Sequence, residues 1–258
     1  MSEGTRRFGA LRAMAGLAHG LMLVPGWLTV PKGSPVAAGY ERRFMQRIAR
    51  RLVRTIDLTG APPGGPGTLY VSNHISWMDI AVLGGALDAN FIAKSDVRDW
   101  PIIGPLSRRS GTLFVVREER HRVNQQADQI GEKLRSGRSL VLFAEGTTSD
   151  GLTILPFRSS LFEAAAHAAR IQPIAIGYHR GDGARLPDDV MRTIGWTGDE
   201  ELLPNLAQVS KLWLSAEIRL APALRFETGE TRKALAERCR ADVVDCYAAI
   251  RGAEKRSE

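Results

Sequence analysis

Residues 68–87, TLYVSNHISWMDIAVLGGAL, leave few folds open. TLYVS reads as a buried strand, and Ser76 and Asp79 behind it make the S-x-x-D pattern that starts a helix. The apolar stretch DIAVLGGAL is that helix. A second buried strand, SLVLF at 139–143, runs into the polar loop AEGTTSDG, and IQPIAI at 171–176 supplies a further short strand. Strands that hand over to polar loops and helices are the pattern of an α/β chain, which places its chemistry on such loops.

At 258 residues the chain is long enough for one large domain or a domain with an appendage. Its 44% apolar and 24% charged residues are those of a folded globular protein. The net charge of +7 is unevenly placed. Residues 1–58 hold ten Lys and Arg against Glu3, Glu41 and Asp57, and the remaining chain is balanced at 25 of each sign. A nucleic-acid-binding body spreads its excess across the fold, so this distribution argues against one. The basicity belongs instead to an N-terminal attachment at 1–58. The Pro/Gly-rich TGAPPGGPG, residues 59–67, divides it from a body at 59–251, and 252–258 form a solvated tail.

The attachment suits a membrane surface. Residues 13–30 contain no Asp, Glu, Lys or Arg. A spanning helix needs about 20 apolar residues, and glycines and a proline interrupt this run. A short anchor or re-entrant segment is expected, with no small-x-small site to mark a cleaved leader. In YERRFMQRIARRLVRTIDL, residues 40–58, Phe44, Ile48, Leu52 and Ile56 recur every four residues among six arginines. An apolar stripe flanked by Arg describes a helix lying in a membrane interface, each Arg adding roughly 1 kcal/mol near anionic lipid. The alternatives are a solvated amphipathic helix packed on the core, or a nucleic-acid helix. Cys239 and Cys246 share an apolar helical stripe with Leu235, Val243 and Ile250, which makes them core residues rather than a disulfide framework.

His74 and Asp79 carry the chemical argument. On a continuous helix residues five apart point roughly 140° from one another. With His74 on the preceding loop and Asp79 in the first turn, the carboxylate can hold one ring nitrogen and leave the other to accept a proton. A His oriented in this way is a general base worth about 10²- to 10⁴-fold in rate. The other reading is a capping Asp79 beside an idle loop His. Glu145, Gly146, Thr147, Thr148, Ser149 and Asp150 offer a carboxylate, hydroxyls and backbone donors, or a well-capped turn. Lys94, Arg108, Arg109 and Arg117 are cations available to an anionic substrate. His121 and His167 read as structural or solvated, and His179 at a strand end is open. No internal repeat, metal-ligand spacing or phosphate-cradling loop appears.

The order NHISWMD, GTLFVVR, FAEGT and the Pro-containing strand IQPIAI, over about residues 60–180, resembles the glycerolipid acyltransferases. The resemblance implies an α/β fold with a central mixed sheet flanked by helices, and N-terminal membrane-associated helices. It implies an O-acyltransferase on the cytoplasmic face of the inner membrane, with no cofactor, using acyl-ACP or acyl-CoA as co-substrate. His74 would deprotonate a lysolipid hydroxyl and Asp79 would orient it. Glu145, Gly146 and Thr147, with Arg117, would bind the acceptor head group, and Gly104 in DWPIIG would shape the acyl or acceptor channel.

Two departures stand out. The family pattern F-P-E-G-T-R has Ala144 in place of Pro and Thr148 in place of the Arg that grips a phosphate. Threonine cannot replace an Arg fork on phosphate. Either Arg117 or Arg158 compensates, and the acceptor is the 1-acylglycerol-3-phosphate of the family's type member, which is the leading expectation, or the acceptor lacks phosphate, its close rival. The runs EGTTSDG, LPFRSSLF, GWTGDEELLP and RKALAERC resemble the lyso-ornithine lipid O-acyltransferases, whose acceptor is phosphorus-free. A non-catalytic lipid-binding protein and an acyl hydrolase are the remaining alternatives.

Overall fold

The computed structural model describes residues 18–19, 21–99, 103–115, 120–197 and 202–252. Helix α1, Val24–Thr29, buries Trp27. Helix α2, Pro35–Leu52, starts where the Ser34 hydroxyl accepts the Ala37 N–H, with Pro35 in its first turn. It stops because Val53 is extended and the Arg54 N–H bonds the carbonyl of Leu214. The chain then becomes strand β1, Ile56–Gly60. Ile56 therefore belongs to a strand and not to the helical stripe. The division at 58/59 falls inside β1, so the chain from Pro35 onward is built into the body.

Six further strands follow: β2 (Thr68–Ser72), β3 (Asn90–Lys94), β4 (Leu113–Val115), β5 (Leu140–Phe143), β6 (Arg170–Arg180) and β7 (Leu214–Leu220). They form one sheet in the order β1-β7-β6-β2-β5-β3-β4. Only the β6–β7 pair is antiparallel among the described pairings, so the sheet is mixed, as expected. The helices α3 (Met78–Ala86), α4 (Ile103–Ser110), α5 (Arg120–Arg135), α6 (Asp188–Ile194), α7 (Leu202–Val209) and α8 (Arg232–Gly252) flank it. Both sheet faces are covered, which is why the central strands read as continuous apolar runs. Tyr70 enters the cluster containing Ala49, Val82 and Tyr247, while Leu69 and Val71 enter the one containing Ile130, Phe162 and Cys239.

The amphipathic stripe expected at the membrane packs inward. Phe44 and Leu52 are buried, and Ile48 lies against the core. Gly84 and Gly85 of α3 permit the approach: a Cβ on Gly84 would sit 3.0 Å from Met45 Cγ. Gln46 and Arg42 bond the Gly85 carbonyl at 3.0 and 3.3 Å. The outer side of α2 carries the exposed Arg43, Arg50 and Arg51. Met22, Leu28 and Val36 are exposed at 75%, 60% and 59%. Among the described residues no helix is long and apolar enough to cross a membrane; residues 13–17 and 20 of the uncharged run lie outside them.

Candidate active site

Strands β2 and β5 end together, Ser72 opposite Phe143, so the loops leaving them emerge side by side at the carboxyl edge of the parallel strands. Strand β6 pairs with β2 only as far as Ser72–Ile174 and then continues to Arg180 against β7. That overhang runs beside the His74 loop. Asn73 stitches the two together, its Nδ2 donating to the Ile176 carbonyl at 3.0 Å and its Oδ1 accepting the Ile176 N–H at 2.8 Å.

Asp79 is fully buried in the first turn of α3. Its Oδ2 lies 2.8 Å from His74 Nδ1 and accepts the backbone N–H groups of Ile75 and Ser76 at 2.7 and 3.0 Å. Its Oδ1 accepts the Tyr178 hydroxyl at 2.6 Å. The bond from Ser76 N–H is half of the capping box that S-x-x-D announces. A carboxylate only accepts, so the imidazole carries its proton on Nδ1 and Nε2 is the basic nitrogen. The ring stacks on Phe143 with centroids 3.8 Å apart and 13° between planes. The His74 side chain is 16% exposed, so the ring is reachable where Asp79 is not.

Glu145, expected at the acceptor head group, is turned inward. It is 2% exposed, and its two oxygens accept the N–H groups of His74 at 2.7 Å and Leu155 at 2.9 Å. Burial pushes its carboxyl up to about 7, against the lowering by those two N–H groups and Arg240, with Asp79 adding to the rise. A carboxyl committed to two backbone amides clamps the β5 loop onto the His74 loop. The Ser149 N–H reinforces the clamp on the His74 carbonyl at 2.8 Å. From α8, Arg240 holds the carbonyls of Ile154 and Leu155 at 2.7 and 3.0 Å.

The other expected site residues scatter. Gly146 makes the turn after Glu145 at φ 75°, where a side chain is strained, and Thr147 is exposed. The Thr148 hydroxyl donates to the Trp196 carbonyl. Lys94 ends β3 at the same sheet edge, paired with Asp96 at 2.5 Å. Arg158 is exposed at the head of the 3₁₀ segment Ser159–His167. Gly104 has a packing reason: a Cβ there would meet the Arg98 carbonyl oxygen at 2.0 Å. Arg108 donates to that same carbonyl at 2.7 Å, while Arg109 caps the carbonyls of Trp27 and Val30. Arg117 lies outside the described residues.

Tyr178 and Asn73 are the site residues that sequence reasoning missed. Tyr178 lies 99 residues from Asp79, and its signal is only strand alternation, which puts it on the same face as Ile176. Cys239 and Cys246 are buried in α8, and burial pushes the Cys239 thiol up to about 12, which disqualifies it as a nucleophile. Among the described residues no group of three His, Cys, Asp or Glu could hold a metal ion. The arrangement is a reachable imidazole held through Nδ1 by a buried carboxylate, on loops clamped at a sheet edge, a geometry that can serve general-base chemistry.

A family model described as Acyltransferase matches residues 48–177. A lyso-ornithine lipid O-acyltransferase of Brucella abortus is 41% identical over 215 residues, 77% of this chain and 79% of that protein. A 1-acyl-sn-glycerol-3-phosphate acyltransferase of Neisseria meningitidis is 34% identical over 151 residues, 56% and 59% of the two chains. The crystal structure of a 1-acyl-sn-glycerophosphate acyltransferase from Thermotoga maritima superposes with a TM-score of 0.71 over the whole of both chains. At 17% identity that likeness speaks to the fold alone.

Proposed function

The chain belongs to the acyltransferase family, and from that premise we propose that it O-acylates a lysolipid, with lyso-ornithine lipid as the acceptor. His74 Nε2 takes the proton of the acceptor hydroxyl as its oxygen attacks the thioester carbonyl carbon of acyl-ACP or acyl-CoA. The tetrahedral intermediate collapses by breaking the C–S bond, and the thiolate leaves with the proton returned from the imidazolium. Asp79 stabilises the transient positive charge without taking the proton. No acyl-enzyme is required, in keeping with cysteines that are buried.

The acceptor choice rests on Thr148. In place of a phosphate-gripping Arg it presents a hydroxyl that is spent on the Trp196 carbonyl. The Brucella abortus relative, named for lyso-ornithine lipid, supports the same choice. A 1-acylglycerol-3-phosphate acceptor is the second reading, favoured by Lys94 and Arg158 near the loops and by the name of the Neisseria meningitidis relative.

Exposed Met22, Leu28 and Val36, beside an Arg-bearing face of α2, support docking on an anionic membrane surface, at the cytoplasmic face of the inner membrane. In this arrangement the outer arginines and the exposed apolar residues of 22–36 meet lipid, while the stripe of α2 serves the core.

The test is acyl transfer from acyl-ACP by membranes carrying the protein, with the two lysolipids compared side by side and His74→Ala membranes as background. Preference for lyso-ornithine lipid is expected. Preference for the phosphate lipid would refute the acceptor assignment and make Arg158 and Arg117 the next residues to change.

A further inference from the structure

The two oxygens of a carboxylate are chemically equivalent, and the last torsion of an Asp side chain is broad and roughly two-fold. A half-turn therefore changes nothing, and what has to be held is the plane of the Asp79 carboxylate, so that one oxygen stays in line with His74. Oδ2 has three donors, the His74 ring and the N–H groups of Ile75 and Ser76, all from the loop that carries the base. Oδ1 has the Tyr178 hydroxyl at 2.6 Å. We propose that Tyr178 is a positioning residue of the acyl transfer, its hydroxyl pinning Asp79 Oδ1 so that Oδ2 stays directed at His74 Nδ1. This inference rests on the base role given to His74 above.

The pin is itself rigid. Tyr178 is 2% exposed, on the part of β6 that overruns β2 and is held by β7, opposite Ala216. The reciprocal Asn73–Ile176 bonds set that strand's register against the His74 loop, two residues before Tyr178 on the same face. Burial and the adjacent Asp79 hold the phenol well above the ordinary tyrosine range, so it remains a neutral donor. The ionisable groups around the cluster are Glu145 from the β5 loop, with Arg240 beyond it, and Tyr247 of α8, with Arg251 and Asp150 beside it. Of the side chains whose hydrogen bonds to Asp79 are described, Tyr178 alone comes from outside residues 74–79.

The test is Tyr178→Phe, which keeps the ring and removes the donor. kcat is expected to fall about tenfold, the scale of a lost hydrogen bond to a charged group, with KM for the lysolipid unchanged. Without the pin the Asp79 carboxylate no longer stays in line with the ring and its hold on the imidazolium weakens, so the acid limb of the rate profile moves to lower pH. In an Asp79→Asn background the same change should have almost no further effect, because there is no carboxylate left to orient. Unchanged kcat would overturn the proposal. So would a loss of rate that tracks a lower melting temperature, leaves the acid limb in place and adds fully to Asp79→Asn. The pH dependence of His74 modification by diethyl pyrocarbonate reads the ring without any lysolipid. A shift there in Tyr178→Phe supports the pin even if the acceptor or reaction assigned above fails, which separates the two failures.

Discussion

Among the described residues two histidines lie against buried carboxylates, and the two pairs differ in every respect that matters for chemistry. His74 and Asp79 are 2.8 Å apart on a loop and the helix it feeds, with the ring 16% exposed and the carboxylate held by four donors. His179 and Glu217 are 3.5 Å apart on the antiparallel strands β6 and β7, with side chains 6% and 8% exposed. Both nitrogens of His179 are buried without a hydrogen bond of good geometry. Glu217 is held below the ordinary carboxylate range by the His179 ring, the Thr59 hydroxyl and Arg219, against the burial that raises it. Composition would rank the pairs equally. A base needs one nitrogen fixed and the other reachable, and only the loop pair has both.

Four experiments set the two pairs against each other. His74→Ala should abolish acyl transfer to within background, a loss of about 10²- to 10⁴-fold, read as initial rate at saturating donor. A variant that retains the rate would break the comparison outright. Asp79→Asn leaves a side chain of the same shape whose oxygen can still accept from His74, Ile75 and Ser76, with the amide N–H turned to the Tyr178 hydroxyl, but which carries no charge to stabilise an imidazolium. The expected loss is at least about 10²-fold in kcat, with lysolipid KM the check that binding survives.

Glu145→Gln probes the clamp through pH. Its folded-state carboxyl sits at about 7, raised from 4.5, so its contribution is full below pH 4.5 and is lost as pH rises through 7. Two to three pKa units correspond to something on the order of 3 kcal/mol. Chemical denaturation at a series of pH values should therefore show stability falling between pH 4.5 and 7, with a shallower fall in Glu145→Gln. An identical slope in both proteins would mean that another group, Glu41 foremost since it too is raised to about 7 by burial, carries the effect. The smallest change in rate belongs to His179→Ala. Acyl transfer should stay within about threefold while stability drops by about 1–3 kcal/mol, because Glu217 loses its buried partner. A large loss of kcat without loss of stability would move His179 into the reaction.

Much of the fold was legible because its signals are local. TLYVS is β2 to the residue, SLVLF contains β5, and the helix announced by Ser76 and Asp79 starts at Met78. The His74–Asp79 contact was legible for the same reason, since one loop and one helical turn suffice to make it. The stripe of α2 was read correctly as amphipathic and assigned to the wrong surface. Periodicity reports that a helix has an apolar face, and says nothing of what covers it. Gly84 and Gly85 decide that, by letting α2 close onto α3. Glu145 was found by its motif while its inward direction was not legible, because a carboxylate that binds substrate and one that clamps two backbone amides are spelled alike.

The chain alone thus determined the element types, the loop that holds His74 beside Asp79, and the absence of an Arg at 148. Each depends on residues a few positions apart, where spacing and capping chemistry act directly. Only the tertiary structure decided that Glu145 faces inward, that α2 serves the core, and that the Tyr178 hydroxyl reaches Asp79. Those contacts join segments 71 and 99 residues apart for Glu145 and Tyr178. They exist because β6 is laid beside β2 and runs past its end, a consequence of strand order that no local pattern encodes.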